Sequence, residues 1–240
     1  KVESRPYIDL TLSALADFGV TARWLDERRL AVPGGQHYRP CPYRVEGDYS
    51  QAAFPAVLGA VRGGVTVTGL RPDSLQGDAA ILDILTRCGA NFTRTGDEVR
   101  FEASPLRATA IDLAACPDLG PILMVLGLFC EGDTVITNAG RLRIKESDRI
   151  AAMQEELAKF GGQVLADGET VTVKGLGGAL CAPSRPLNSH NDHRVAMALA
   201  IAAWAAGLPA CLEDAGAVAK SWPTFFADMA QGLDARWQEA

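Results

Sequence analysis

A repeat of about 70 residues constrains this chain more than any other feature. Asp48, Asp118 and Asp192 stand 70 and 74 residues apart. Each precedes an apolar run with helical periodicity, Ala52 to Ala60, Leu119 to Phe129 and Val195 to Ala206. Glycine closes each run, at Gly63-Gly64, Gly132 and Gly207, and a short β-rich stretch follows: Val65 to Val67, Thr134 to Ile136 and Ala210 to Leu212. A second helix comes in phase. Gly77-Asp78 opens one, Ser147-Asp148 opens the next 70 residues on, and Ser221-Trp222-Pro223 opens a third. The first two end at Cys88-Gly89 and Phe160-Gly161 and lead into alternating segments that turn at Gly96-Asp97 and Asp167-Gly168, a strong hairpin signal. With the strand before each apolar run included, one unit reads βαβαββ. The fold class expected is therefore α/β, built from repeated units each nearly a small domain.

The first forty residues read as half of another unit. A helix opened by Pro6-Tyr7 ends at Phe18-Gly19, 70 residues before Cys88-Gly89, and a hairpin follows from Trp24-Leu25 to Leu30-Ala31-Val32. Pro33 to Pro42 then reads as a linker. The expectation is that residues 1–45 finish a preceding lobe, that residues 46–240 form a second one, and that a segment comes before Lys1. With 48% hydrophobic residues, the 240-residue chain has ample material for a core. Its net charge of −6 argues against non-specific nucleic-acid binding while leaving room for a local cationic cleft. The six cysteines show no zinc spacing, and most sit in apolar surroundings that suit buried, reduced thiols of a cytoplasmic protein. Val195 to Leu212 is uncharged, but Gly207 and Pro209 interrupt it, so a buried helix and strand explain it better than a membrane span.

Chemistry is expected at the helix starts, where free N–H groups and the dipole favour anions. In Arg143-Ile144-Lys145-Glu146-Ser147-Asp148-Arg149, five of seven residues are charged, and the apolar positions Ile150, Met153, Leu157 and Phe160 follow at helical spacing. Ser147 or Asp148 is the candidate cap. Lys145 and Arg149 flank Glu146, which reads either as a solvated salt-bridged helix start or as an anion site with an embedded proton carrier. The simplest role for Asp48 is an N-cap. Asp118 invites more, because its position recurs beside cation-bearing helix starts. His193, between Asp192 and Arg194, fits a base or a hydrogen-bonded structural residue. Lys145, Arg149, Arg194 and Lys220 are read as cations at equivalent or adjacent helix starts. Their number suits substrates carrying a phosphate and a carboxylate.

These motifs resemble those of the 5-enolpyruvylshikimate-3-phosphate synthase family. The resemblance rests on Leu142 to Met153, Asn191 to Ala198, Glu46 to Ser50, Pro117-Asp118, Val218 to Pro223 and Ser4 to Tyr7, in matching order over essentially the whole chain. It implies an enolpyruvyl transferase-type inside-out α/β barrel lobe. It also implies transfer of the enolpyruvyl group of phosphoenolpyruvate to the 5-hydroxyl of shikimate 3-phosphate, without metal or organic cofactor, in a cytoplasmic protein that is monomeric when full length. By the same resemblance Asp118 accepts the hydroxyl proton and Glu146 serves the methylene carbon; an aspartate's ordinary pKa of about 3.9 makes it a weak base at neutral pH, which leaves Lys145 to share the proton work. Ser4, Tyr7, Asp118 and Lys145 would contact shikimate 3-phosphate, and Glu146, Arg149, Arg194 and Lys220 phosphoenolpyruvate. Arg141 stands where some members carry a substrate-binding Asn. Because the family has two lobes with the site between them, the chain by itself is expected to be inactive. Two other readings stay open: an enolpyruvyl transferase acting on a nucleotide sugar, and a non-catalytic anion-binding repeat module.

Overall fold

The repeat is visible in the order of elements. The computed structural model describes residues 2–233. The half unit comprises α1 (Arg5–Asp17), β1 (Arg23–Trp24) and β2 (Leu30–Ala31). The next unit has α2 (Tyr49–Arg62), β3 (Val65–Val67), α3 (Ala80–Arg87), β4 (Asn91–Thr95) and β5 (Glu98–Glu102). The third stretch is a full βαβαββ: β6 (Ala110–Asp112), α4 (Gly120–Phe129), β7 (Asp133–Thr137), α5 (Arg149–Ala158), β8 (Gln163–Asp167) and β9 (Thr170–Lys174). The last has β10 (Leu187–Asn188), α6 (His193–Ala206), β11 (Leu212–Glu213) and α7 (Phe225–Leu233).

Each unit keeps its own sheet. The orders are β3-β5-β4, β6-β7-β9-β8 and β10-β11. The strands joined across α4 and across α6 pair parallel, Ala110 opposite Val135 and Leu187 opposite Leu212, as a βαβ crossover requires. The hairpins pair antiparallel, Phe92 opposite Phe101 and Val164 opposite Val173. Helices α2, α4 and α6 pack on one another in the middle, and the sheets lie outside them. Sequence explains this inversion. Every residue of α4 is buried, and α6 buries all but two of its fourteen, so neither helix has a polar face to offer water. Glycines let the sheets close onto the helices. A Cβ on Gly59 of α2 would lie 2.7 Å from Phe101 Cβ and 2.8 Å from Val65 Cβ, and one on Gly127 of α4 would lie 2.9 Å from Val173 Cβ.

Several expectations need correction. No strand forms immediately before α2, where the Gly47 N–H bonds the Gly69 carbonyl at 2.8 Å without starting a ladder, so that unit lacks its opening strand. The third β segment begins at Leu212 rather than Ala210. Lys220 does not start a helix: it ends a 3-10 turn, Ala215–Lys220, and α7 begins only at Phe225, after Pro223. Cys88, Cys116 and Cys130 are buried, but Cys41, Cys181 and Cys211 are exposed, so half the thiols are not core filler. In α1 no residue is fully buried, in contrast to the three central helices. Among the described residues no helix is long and apolar enough to cross a membrane.

Candidate active site

The starts of the three central helices meet. Asp48 caps α2, its side chain accepting the Ser50 N–H at 2.8 Å. Asp192 caps α6, accepting the Arg194 N–H at 2.9 Å. Asp118 is different: it sits in a 3-10 turn, Pro117–Leu119, that leads into α4, and no side chain caps that turn. Its carboxylate is therefore free for other partners, and all of them are cations. Lys145 Nζ and Arg149 Nη1 each lie 3.1 Å from Oδ1, and Arg194 Nη2 lies 3.5 Å from Oδ2.

Arg149 knits these starts together. It opens α5, which Asp148, not Ser147, caps by accepting the N–H groups of Ile150 and Ala151. Its Nε donates to Asp192 Oδ2 at 2.8 Å, its Nη2 to Asp192 Oδ1 at 3.2 Å and to Glu146, and its Nη1 to Asp118. With 1% of its side chain exposed, Arg149 is a buried hub. Ser147 adds a bond from its hydroxyl to Asp192 Oδ2 at 3.1 Å. Burial alone would weaken Arg149's hold on its proton, yet Asp192, Glu146 and Asp118 raise its pKa further. Burial would also push Asp118 and Asp192 up. Their cationic neighbours outweigh it, Arg194 and Lys145 for Asp118 and Arg149 for Asp192, so both carboxyls titrate below the usual range.

A cleft of about 410 Å³ opens over this hub, lined by Asp118, Lys145, Glu146, His193 and Arg194. Among the described residues, two nitrogens in its wall are buried without a hydrogen-bond partner, His193 Nδ1 and Arg194 Nη1. The other half of the Arg194 fork is fixed by the Ser50 hydroxyl, 3.0 Å from Nη2. Burial first, and then Arg194, lower the His193 pKa, so the ring is neutral near pH 7. Neutral imidazole, guanidinium and ammonium around one hollow make an anion seat, with Asp118 and Glu146 on its rim for proton transfer. Glu146, Asp192 and His193 have ligand atoms within 4.8 Å of one another. Asp192 is already engaged by Arg149, however, and a metal ion there would face two guanidinium groups, so the set does not suit one.

The remaining expected residues lie around this cleft rather than in its wall. Ser4 and Tyr7 come from the start of α1. The Arg141 guanidinium donates to Ser4 Oγ at 2.6 Å and lies 3.4 Å from Glu3, so the residue standing where some members carry Asn holds α1. Tyr7 donates its hydroxyl to Asp78. Lys220 is exposed and binds the carbonyl and the Oδ1 of Asn191, the latter at 3.0 Å. It thereby braces the turn before α6, where His190 and Asn191 both adopt left-handed backbone angles, φ 52 and 53. Sequence reading did not place Ser50 or Asp192 in the site. The phase of Asp192 with Asp118 was the available signal, but its role as the Arg149 partner depends on a fold contact 43 residues apart.

Known proteins share the sequence and the fold of this chain. Residues 1–229 match the EPSP synthase (3-phosphoshikimate 1-carboxyvinyltransferase) family. A 3-phosphoshikimate 1-carboxyvinyltransferase of Clostridioides difficile is 40% identical over 231 residues, which is 95% of this chain and 52% of that protein. One of Clostridium novyi is 41% identical over 231 residues, with the same coverage. The chain thus spans about half the length of the curated relatives it matches. Among solved structures, the EPSP synthase of Acinetobacter baumannii superposes with a TM-score of 0.80 at 25% identity, over 93% of this chain and 53% of that one. The enolpyruvyl transferase NikO of Streptomyces tendae shares the fold, with a TM-score of 0.73 at 22% identity over 96% of this chain and 53% of that one. The chain belongs to the EPSP synthase (3-phosphoshikimate 1-carboxyvinyltransferase) family.

Proposed function

We propose that residues 46–240 are one lobe, and residues 1–45 the end of another, of a cytoplasmic enzyme that transfers the enolpyruvyl group of phosphoenolpyruvate to the 5-hydroxyl of shikimate 3-phosphate. The observation that carries this reading is Asp118. It is spared from capping, ringed by Lys145, Arg149 and Arg194, and set on the rim of a cleft with Glu146. Addition of the hydroxyl to C2 of the enol phosphate needs a base at oxygen and an acid at the methylene carbon. Asp118 takes the hydroxyl proton as the new C–O bond forms, and Glu146 gives a proton to C3. In the second half Glu146 takes that proton back, the C2–O bond to phosphate breaks, and the proton on Asp118 is available for the departing phosphate.

Charge placement supports these roles. In the unliganded site, Asp118 is a weak base because three cations favour its ionised form. An anionic substrate on Lys145 and Arg194 cancels part of that field and makes Asp118 more basic when the hydroxyl is at hand. The Nε and Nη2 donors of Arg149 are taken by Asp192 and Glu146, and Nη1 keeps one N–H beyond its bond to Asp118. A substrate carboxylate that engages the Nη2 edge of Arg149 displaces Glu146, which frees that carboxyl for the methylene carbon. Lys220 acts on the substrate side through the Asn191 turn. Incubating the full-length protein with both substrates tests the reading: phosphate release that needs both, and tighter binding of phosphoenolpyruvate or its analogues when shikimate 3-phosphate is present, are expected. No phosphate release from a folded full-length protein overturns it.

A further inference from the structure

Asp78 has no part in the chemistry above, yet it is fully buried beside the site. Its in-phase counterpart, Asp148, caps a helix. Asp78 caps nothing: it lies inside the 3-10 turn Gly77–Ala79, ahead of α3. One carboxyl oxygen accepts the Tyr7 hydroxyl from α1, and the other has no hydrogen-bond partner among the described residues. The turn is wedged at a three-way junction. A Cβ on Gly77 would meet the Ala115 carbonyl at 2.2 Å and Pro6 of α1 at 3.5 Å, so only glycine lets the turn touch both α1 and the segment that carries Asp118. The charged and titratable groups that face Asp78 are Tyr7 on α1, Asp118 and Cys116 at the start of the α4 segment, Lys145 before α5, and Arg194 on α6.

We propose that Asp78 is a positioning residue, whose buried carboxyl seats the Tyr7 hydroxyl at the mouth of the Asp118 cleft and so ties α1 to the proton-transfer turn. The field around it makes this seat responsive to the site. Burial, and then Asp118, push its carboxyl up to about 7, against Arg194 and Lys145. A substrate anion that neutralises those two cations raises it further, so binding near neutral pH draws a proton onto Asp78. The inference rests on the proposed shikimate 3-phosphate reaction, because Tyr7 matters only if α1 contributes to that substrate's seat.

The test uses the full-length protein, with steady-state kinetics from pH 6 to 8 and calorimetric titration of shikimate 3-phosphate in buffers of different ionisation enthalpy. Wild-type turnover checks the underlying reaction separately: without it the functional reading falls, whatever the variants do. With it, Asp78→Asn and Tyr7→Phe are each expected to raise KM for shikimate 3-phosphate about three- to ten-fold with kcat little changed. The double variant is expected to be no worse than the poorer single one, since both remove the same contact. Proton uptake on binding is expected in wild type and lost in Asp78→Asn. Independent, multiplying effects of the two substitutions overturn the proposal, as does wild-type proton uptake in Asp78→Asn. If Asp78→Asn fails to fold, Tyr7→Phe decides: an unchanged KM for shikimate 3-phosphate refutes the seat, and a raised one upholds it.

Discussion

At the scale of single residues, the cations divide into those that face the cleft and one that holds the site together. Lys145 is partly exposed and, among the described residues, its ion pair is with Asp118, so Lys145→Ala removes a charge-assisted contact without opening the core. The expected result is substrate binding about ten- to a hundred-fold weaker with the melting temperature little changed, read by titration and calorimetry on the same sample. Arg149 is the opposite case. Arg149→Ala leaves the fully buried Asp192 carboxylate without its partner, a loss of about 3–5 kcal/mol, and denaturant unfolding should report it whether or not substrate is present. The acid limb of stability follows from the same contacts. Asp118 and Asp192 are held below their ordinary range, so the stability they confer is present above about pH 4 and is lost as pH falls through their folded values. Asp78 has the other sign: raised to about 7, it disfavours the folded state progressively as pH climbs from about 4 to 7. Urea unfolding of Asp78→Asn beside wild type across that range should show wild type losing ground as pH rises. Asp118 was legible in the sequence because the repeat marks its position and the starts of α5 and α6 bring cations beside it. Asp78 was not, because its phase-mate Asp148 is an ordinary cap and nothing local distinguishes the two.

Among the elements, the repeat made helices and hairpins legible, while pairings and ends depended on tertiary contacts. The hairpins formed where the Gly-Asp and Asp-Gly turns placed them. The strand expected at Ala210 starts two residues late because Pro209 and the partner β10 set its register, with Cys211 giving only its carbonyl to Leu187. Lys220 looked like a helix start because Ser221-Trp222-Pro223 resembles a cap followed by proline, but Val218 and Asp214 close a 3-10 turn first. What periodicity could not reveal is how near the sheets approach the central helices. Gly59 and Gly127 occupy equivalent places on α2 and α4, each beneath a β-branched or aromatic residue of its own sheet. Alanine is about 1 kcal/mol better than glycine inside an isolated helix. Here its Cβ would sit under 3 Å from Val65, Phe101 or Val173, and the overpacking, about 1–3 kcal/mol, should win. Gly59→Ala and Gly127→Ala are therefore expected to lower the melting temperature, and a rise in either would mean that the sheet can move away at little cost.

For the whole molecule, the question is what the half unit at residues 1–45 does. Most of the large apolar side chains left in water belong to it: Leu25, Leu30, Val32, Tyr38, Tyr43 and Val45. Its helix α1 is tied to the rest at the site by polar clasps, Tyr7 to Asp78 and Arg141 to Ser4 and Glu3, rather than by a buried face. A surface of that kind is poorly suited to water and well suited to further protein. The chain spans about half the length of the matched relatives, and the second lobe proposed above would cover this segment. The cleft over Arg149 is open to solvent, so a small anion bound there stays in contact with water that competes for Lys145 and Arg194. Chemistry through a tetrahedral adduct that carries phosphate on C2 requires that water be shut out. The 240-residue chain alone is therefore expected to bind phosphoenolpyruvate weakly and to release no phosphate from it with shikimate 3-phosphate present, while the full-length protein turns both over. The two proteins should be compared side by side in a phosphate-release assay, with circular dichroism to show that the shorter one is folded. Sustained turnover by the 240 residues alone would place the whole reaction in this lobe and remove the need for a second wall.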